Sequence, residues 1–233
     1  MLKNVFILGD SYSTFEGYVP EGYVSYYRPD GPSYLRKKPE LEKNESDVFT
    51  VEQTWWYNLV KENGNLLLNC SWSGTTICNT GYNGSDNSEC SFIARIEKLI
   101  KEDYFKKNKL DTLLLFGGTN DNWSDAPLGE EVYSDWTKED LYNVFPGFTY
   151  LIHLLKTNLP DTEIYFILNH DFKAEITDFY KKTCKQNDIP LIELHDIEKR
   201  EGHPTIKGME TIKNQVLDFI KKKRAASPIS RPN

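Results

Sequence analysis

The sequence predicts an α/β protein in which a parallel sheet is covered by helices on both faces. Short apolar runs recur along the 233 residues, and stretches with helical spacing separate them. The apolar runs show no polar alternation, which is typical of strands that are buried on both faces. Strands that alternate with helices pack as a parallel sheet with right-handed crossovers.

The predicted strands are the unbroken apolar runs. They cover residues 4–10, 65–70, 112–116, 163–168 and 190–194. Amphipathic spacing predicts the helices that connect and follow them. These helices cover residues 51–63, 91–104, 139–158, 173–187 and 206–223. We expect Gly64 to end the first helix at its C′ position, and Pro146-Gly147 to disturb the third.

The chain is interpreted as one domain over residues 1–223, because it shows neither an internal repeat nor a second core pattern. Residues 12–50 are rich in Tyr and interrupted by Pro and Gly. This segment is too long for an ordinary connection, so it is predicted to be a functional insertion or lid. Residues 224–233 lack any periodicity, which predicts a disordered tail.

Charge and hydropathy exclude several classes of function. The formal net charge of −7 argues against a general electrostatic affinity for nucleic acid or for an anionic membrane. No apolar run approaches the length that spans a bilayer. The first residues lead directly into the first strand without a signal-peptide pattern, so the expected location is cytoplasmic unless a leader has been removed. The sequence does not indicate the oligomeric state.

The four cysteines are predicted to be free thiols without a metal. They form no Cys-x-x-Cys pair, and the His residues do not have the spacing of zinc ligands. Cys78 and Cys90 flank a polar loop, so a disulfide between them is the one pairing considered, and only in an oxidising compartment.

Candidate functional residues follow the ends of four predicted strands. Ser11, Gly74 and Asn120 follow the first three strands, and His203 follows the fifth. In a parallel sheet these carboxyl ends share one edge, so the four residues are expected to converge. Ser becomes a nucleophile when a base such as His takes its proton. The alternative for Ser11 alone is an ordinary helix N-cap.

These residues resemble the conserved blocks of the SGNH hydrolases, the GDSL esterase and lipase superfamily. Gly9-Asp10-Ser11 resembles the block with the nucleophile, and Ser73-Gly74 resembles the glycine block. Gly118-Thr119-Asn120-Asp121 resembles the Gly-x-Asn-Asp block, and His203-Pro204 resembles the histidine block. The blocks follow the family's order over residues 4 to about 220.

The resemblance implies a three-layer α/β/α, flavodoxin-like fold with five parallel strands in the order 2-1-3-4-5. It also implies a serine esterase that needs neither a metal nor an organic cofactor. Ser11 and His203 would be catalytic, and the oxyanion would be held by Ser11, Gly74 and Asn120. The expected substrates are small acyl esters, with acetyl groups on carbohydrate among them.

The sequence departs from the family at the acid of the triad. The family places an Asp three residues before the His, and this chain has Arg200 there. The nearby carboxylates belong to Glu201, Glu198 and Asp196, and Glu201 is one residue out of register. Either Glu201 completes a triad, or a backbone carbonyl orients His203 in a Ser-His dyad. We favour the dyad.

Two other functions stay open at this stage. The presence of Arg200 where the family has an acid also fits a non-catalytic, ligand-binding relative of the same fold. A flavodoxin-like nucleotide binder is disfavoured, because no Gly-x-Gly-x-x-Gly or Walker-type loop follows any strand.

Aromatic residues crowd the insertion and the helix after it. They could stack on a sugar, line an acyl pocket, or pack the insertion onto the body, and packing is favoured. They are Tyr12, Tyr18, Tyr23, Tyr26, Tyr27, Tyr34, Trp55, Trp56 and Tyr57. Trp123 and Trp136 flank the loop after the third strand and are candidates for the same cleft.

Overall fold

The strands and helices follow the order that the sequence predicts. The computed structural model describes residues 2–29 and 46–226. Its strands are β1 Lys3–Gly9, β2 Gly64–Ser71, β3 Thr112–Phe116, β4 Glu163–Leu168, β5 Leu191–Glu193, β6 Lys199–Arg200 and β7 His203–Pro204. Its α-helices are α1 Tyr57–Asn63, α2 Phe92–Lys101, α3 Tyr104–Lys107, α4 Thr119–Trp123, α5 Val144–Asn158, α6 Ala174–Gln186 and α7 Ile206–Ala226.

Five parallel strands form the main sheet in the order β2-β1-β3-β4-β5, which confirms the predicted order. The first strand lies between β2 and β3, and its last residue, Gly9, pairs with Ser71 on one side and Phe116 on the other. The three loops that follow these strands therefore leave the sheet side by side.

Alternate side chains of each strand enter two separate cores, which produces the three layers. In β3, Leu113 and Leu115 pack with buried side chains of α2, α5 and α6. Leu114 and Phe116 point to the opposite face and pack with buried side chains of α1 and α7. Both faces of the sheet are covered, so the strands read as continuous apolar runs in the sequence.

Helix α1 ends at Asn63, as predicted, but its start differs from the prediction. The predicted helix begins with a 3-10 turn, Val51–Gln53, and regular α-helix starts only at Tyr57. Gly64 follows the last helical residue, as predicted, and its amide donates to the Val60 carbonyl. Its φ of −169° is extended and it begins β2. A side chain there would collide with the Lys3 carbonyl of the neighbouring strand.

The proline in α5 causes no break. The predicted helix 139–158 is divided into a 3-10 turn, Asp140–Tyr142, and α5 from Val144. Pro146 lies in the first turn of α5, where a backbone amide has no partner within the helix. The expected disturbance therefore coincides with the start of the helix.

The predicted insertion and tail are only partly described. Residues 12–29 and 46–50 contain no α-helix or β-strand, in agreement with an irregular segment, and residues 30–45 lie outside the described part. Helix α7 continues to Ala226, so 224–226 are helical rather than part of a tail. The predicted disorder of 227–233 concerns residues outside the described part.

Most of the aromatic residues of the predicted insertion and of the helix after it pack inside the protein, which is the interpretation favoured above. Tyr12, Tyr26, Tyr27, Trp55 and Trp56 are all buried in the core that contains α1 and α7. Tyr34 lies outside the described residues.

All four cysteines are free, and Cys78 is not bonded to Cys90. Among the helices of residues 2–29 and 46–226, none combines the length and apolar character needed to cross a bilayer.

Candidate active site

Ser11 begins a 3-10 turn, Ser11–Ser13, immediately beyond β1. The carboxylate of Asp10 accepts a hydrogen bond from the Tyr12 amide at 3.1 Å, which caps this turn. Gly9 permits the chain to pass closely, because a Cβ there would lie 2.7 to 2.8 Å from side-chain atoms of Ser13 and Ser71. The local sequence Gly-Asp-Ser thus produces a tight, capped turn with Ser11 at its start.

His203 lies on a small hairpin, β6–β7, which the sequence did not predict. Strands β6 and β7 are joined by a two-residue turn in which Glu201 and Gly202 have φ values of 44° and 77°. Two positive φ values are what a tight hairpin turn of the I′ type requires. The hydroxyl of Tyr12 donates to the Gly202 carbonyl, and that of Tyr27 donates to the Pro204 carbonyl at 3.0 Å. Both sides of His203 are therefore anchored.

The structure brings Ser11 and His203 together although 192 residues separate them. His203 Nε2 lies 3.0 Å from Ser11 Oγ, and His203 Nδ1 lies 3.2 Å from the backbone carbonyl oxygen of Glu201. A carbonyl only accepts hydrogen bonds, so Nδ1 of the neutral ring carries the proton. Nε2 is then an acceptor for the hydroxyl proton of Ser11.

The three candidate carboxylates do not make this contact with Nδ1. Glu201 is exposed on the turn and supplies its backbone carbonyl. The Glu198 carboxylate accepts from Thr205 Oγ1 at 2.8 Å, and the Asp196 carboxylate contacts His195 Nδ1 at 3.0 Å. The geometry is thus that of the favoured dyad rather than of a triad with Glu201.

Gly74 and Asn120 lie on the loops after β2 and β3. Gly74 has a φ of +77°, and a Cβ built on it would meet no atom within 4 Å, so its outer face is open. The buried Asn120 side chain donates from Nδ2 to the Thr75 carbonyl at 2.8 Å. Its Oδ1 accepts from the hydroxyl of Tyr82 at 2.8 Å. These two bonds fix the amide orientation and leave one Nδ2 hydrogen unused by them.

Three residues at this edge have structural roles that the sequence did not predict. Tyr82 orients Asn120, and the buried carboxylate of Asp121 accepts from the amides of Ile77 and Cys78 at 2.8 to 3.1 Å. Arg95 is buried in α2 and donates to the Gly9 carbonyl at 3.1 Å. A signal for Arg95 existed, since it shares the apolar face of its helix with Phe92 and Leu99. Tyr82 carried no such signal in its polar loop.

Burial shifts the pKa values of two groups near Ser11 in opposite directions. It raises the pKa of Asp10 to about 7, against the effect of the Tyr12 amide. It lowers the pKa of His203 to about 4, helped by the nearby Lys199 ammonium and opposed by the hydrogen bond to Glu201. Desolvation disfavours the charged form of each group. His203 is consequently neutral at pH 7 and able to accept a proton.

The two tryptophans that flank the third-strand loop have different surroundings. The Trp123 ring lies 6.1 Å from the His203 ring and is 39% exposed. Gly202 makes room for it, because a Cβ there would come within 3.0 Å of Trp123 Cη2. Trp136 instead packs against Tyr150 and His153 of α5.

No group of three or more His, Cys, Asp or Glu side chains within residues 2–29 and 46–226 is placed to hold a metal ion.

Comparison with known proteins places this site in a family. The sequence profile of the GDSL-like lipase/acylhydrolase family matches residues 3–220. The chain belongs to this family. A comparison with curated protein sequences finds no significant match.

Two solved structures of GDSL-like lipases are similar over nearly their whole length. A protein of Bacteroides ovatus named as a GDSL-like lipase is 44% identical, with a TM-score of 0.84 and coverage of 95% of this chain and 99% of its own. A protein of Bacteroides uniformis with the same description is 43% identical, with a TM-score of 0.83 and coverages of 94% and 96%.

A more distant structure shares the fold alone. The family two carbohydrate esterase from Clostridium thermocellum, solved with cellohexaose, is 14% identical, with a TM-score of 0.59. The alignment covers 96% of this chain and 65% of that one. The family and fold together support an acylhydrolase.

The substitution Asp10→Asn should change how stability depends on pH. Burial raises the pKa of Asp10 to about 7, from about 3.9 in an unfolded chain. Between these two pH values the folded protein keeps a proton on the Asp10 carboxyl and the unfolded chain does not. Within that window this group lowers the free energy of unfolding by about 1.4 kcal/mol per pH unit as pH rises. Asn accepts the same Tyr12 amide bond without titrating.

Relative to the wild type, Asp10→Asn should therefore gain about 2–3 kcal/mol between pH ~5 and pH ~7. Urea unfolding of both proteins at each pH measures this difference, and His203 contributes equally to both. If the two stabilities run parallel with pH, Asp10 is not held protonated by burial.

Proposed function

We propose that this protein is a serine esterase that hydrolyses small acyl esters, acetyl esters of carbohydrate among them, with Ser11 as nucleophile and His203 as base. The observation that carries the proposal is the contact of 3.0 Å between Ser11 Oγ and His203 Nε2, with Nδ1 directed at the Glu201 carbonyl. Nucleophile, base and a group that orients the base are the parts that acyl transfer needs.

The proposed reaction has two halves. Ser11 Oγ attacks the ester carbonyl as its proton passes to His203 Nε2, and the imidazolium then gives that proton to the departing alcohol. Water attacks the acyl-Ser11 intermediate with His203 again as base. The proton taken from that water returns to Ser11 Oγ as the carboxylic acid leaves, and the site is restored.

The negative oxygen of the tetrahedral intermediate needs fixed donors. The Ser11 amide, the Gly74 amide and Asn120 Nδ2 follow three adjacent strands, and we assign the oxyanion site to them. The bonds from Tyr82 and to Thr75 fix the direction of the Asn120 amide before substrate binds. Each such donor contributes ~2.7–4 kcal/mol of transition-state stabilisation in related chemistry.

An exposed aromatic ring beside the base supports carbohydrate as the alcohol part. The ring of Trp123 is part exposed at 6.1 Å from His203, where it can stack on a sugar ring attached to the scissile ester. The fold neighbours point the same way, since they include an acetyl xylan esterase from Butyrivibrio proteoclasticus at 13% identity, with a TM-score of 0.55 over 96% of this chain and 64% of that one.

Replacement of the nucleophile tests the reaction directly. Ser11→Ala should lower the turnover of p-nitrophenyl acetate by about three orders of magnitude or more, because no oxygen remains to form the acyl-enzyme. A fluorophosphonate probe should label the wild type and an exposed-hydroxyl control, Ser85→Ala, but not Ser11→Ala. Failure of the wild type to turn over esters of any chain length or to be labelled would instead favour a non-catalytic, ligand-binding relative.

The pH profile should reveal the lowered pKa of His203. The base must be neutral, so kcat/KM should stay level on acidification until the pH nears the pKa of about 4, rather than falling near ~6.5 as for an ordinary His. Measurement of kcat/KM between pH ~4 and ~8 shows where the rate falls on the acidic side of the profile. The same measurement on Asp10→Asn controls for the other group that titrates nearby. A midpoint close to that of free imidazole would contradict the burial of the base.

Trp123 variants should separate sugar binding from chemistry. Trp123→Leu should raise KM for an acetylated xylo-oligosaccharide about three- to tenfold, because the stacking surface is lost. Trp123→Tyr keeps an aromatic face and should stay close to the wild type. Neither variant should change kcat for p-nitrophenyl acetate, which shows that the hairpin with His203 is intact. Equal KM values for the sugar ester in all three proteins would remove the argument for carbohydrate.

A further inference from the structure

The ring of Tyr26 lies face to face with the ring of His203. Their centroids are 3.6 Å apart and their planes differ by 6°. Three other aromatic rings approach His203 at steep angles, namely Tyr12 at 58°, Trp123 at 69° and Tyr27 at 79°, with centroids 5.5, 6.1 and 6.5 Å away. Tyr26 itself is 3% exposed. One face of the imidazole is therefore covered by a buried aromatic ring.

We propose that Tyr26 is a positioning residue that performs the work of the missing triad acid, by holding the plane of His203 and stabilising the imidazolium against its aromatic face. The proposal rests on the proposed esterase function. The triad acid normally has two tasks, to orient the ring and to stabilise the cation. The Glu201 carbonyl directs Nδ1, and the stack with Tyr26 fixes the ring plane and meets the positive charge.

The need for such a partner follows from the charges around His203. When the Ser11 O–H bond breaks and an N–H bond forms at Nε2, a cation appears at a partly buried place. The Glu201 carbonyl supplies a dipole rather than a full negative charge. The ammonium of Lys199 acts against the cation, since it lowers the pKa of His203. The π face of an aromatic ring is negative and attracts a cation placed over it, more strongly when both are desolvated.

Tyr26 is also linked to Ser11 by hydrogen bonds through the Thr14 hydroxyl. The hydroxyl of Thr14 donates to the Ser11 carbonyl at 3.0 Å and accepts from the Tyr26 amide at 2.9 Å. The next residue, Tyr27, anchors the hairpin through the Pro204 carbonyl. This segment of the insertion thus links Ser11 to the ring plane of His203, which gives it a defined place in the site.

The test changes the charge of the aromatic face while its shape stays nearly constant. Tyr26→Phe and the replacement of Tyr26 by 3,4,5-trifluorophenylalanine both keep a flat ring, but the fluorines withdraw negative charge from its face. Tyr26→Leu removes the ring. Steady-state kinetics on p-nitrophenyl acetate, with fluorophosphonate labelling, are measured for each variant and the wild type.

Tyr26→Phe keeps the flat ring and is the reference with which the trifluoro variant is compared. The trifluoro variant should lose about five- to thirtyfold in kcat with little change in KM, and Tyr26→Leu at least as much. The acid limb of kcat/KM should also move to lower pH in the trifluoro variant than in Tyr26→Phe, because a less negative face stabilises the imidazolium less.

Equal kcat values for the phenylalanine and trifluoro variants would overturn this inference, even if Tyr26→Leu is inactive, because Tyr26 would then act through packing alone. A loss confined to KM would overturn it as well. A wild type that neither hydrolyses esters nor is labelled is a different result, since it removes the esterase itself and the role of Tyr26 with it.

Discussion

The buried guanidinium of Arg95 is the interaction on which the catalytic edge depends. It donates to the carbonyls of Gly9 and Cys70, which are near the ends of β1 and β2, and to Thr75 Oγ1 at 3.0 Å. Its Nε donates to the carbonyl of Cys90 at 3.1 Å. One side chain therefore fixes the nucleophile turn relative to the loop that carries Gly74. The planar guanidinium, with its several donors, suits this task better than an ammonium group would.

A buried cation requires compensation, and the site supplies it from the same edge. Burial lowers the pKa of Arg95, and the nearby Asp10 carboxyl opposes this shift. The carbonyls of Gly9, Cys70 and Cys90 accept hydrogen bonds from the guanidinium. The second buried carboxyl, Asp121, is stabilised by the Ile77 and Cys78 amides and holds the far end of the same loop. The half of the site that follows β1 to β3 is thus organised by charge, whereas the half around His203 is organised by aromatic contacts.

The sequence predicted what depends on repeated patterns and missed what depends on single contacts. Strands β3 and β4 have the predicted bounds, because four and five buried apolar residues in a row leave little ambiguity. Strands β6 and β7 have two residues each, too few for any alternation, and Glu201 is an unusual residue at a positive φ. The residues at strand ends were recognisable by position. The stack of Tyr26 on His203 depends on the tertiary path of an irregular segment, which no local pattern encodes.

A backbone carbonyl, rather than a carboxylate, beside Nδ1 affects the pKa of His203, the base of the proposed mechanism. A carboxylate beside Nδ1 would orient the ring and also raise the pKa of the imidazole. The Glu201 carbonyl orients it but adds little charge, so burial dominates and the pKa of His203 falls to about 4. A base with so low a pKa is neutral over a wide pH range but accepts a proton reluctantly, and the transition state must be favoured by other means. In the proposed mechanism, the oxyanion donors and the aromatic face over His203 stabilise the two charges of the transition state separately. In this mechanism the rate depends on interactions that strengthen as the charges develop in the transition state. Such interactions accelerate a reaction more than those that bind the substrate and the transition state equally.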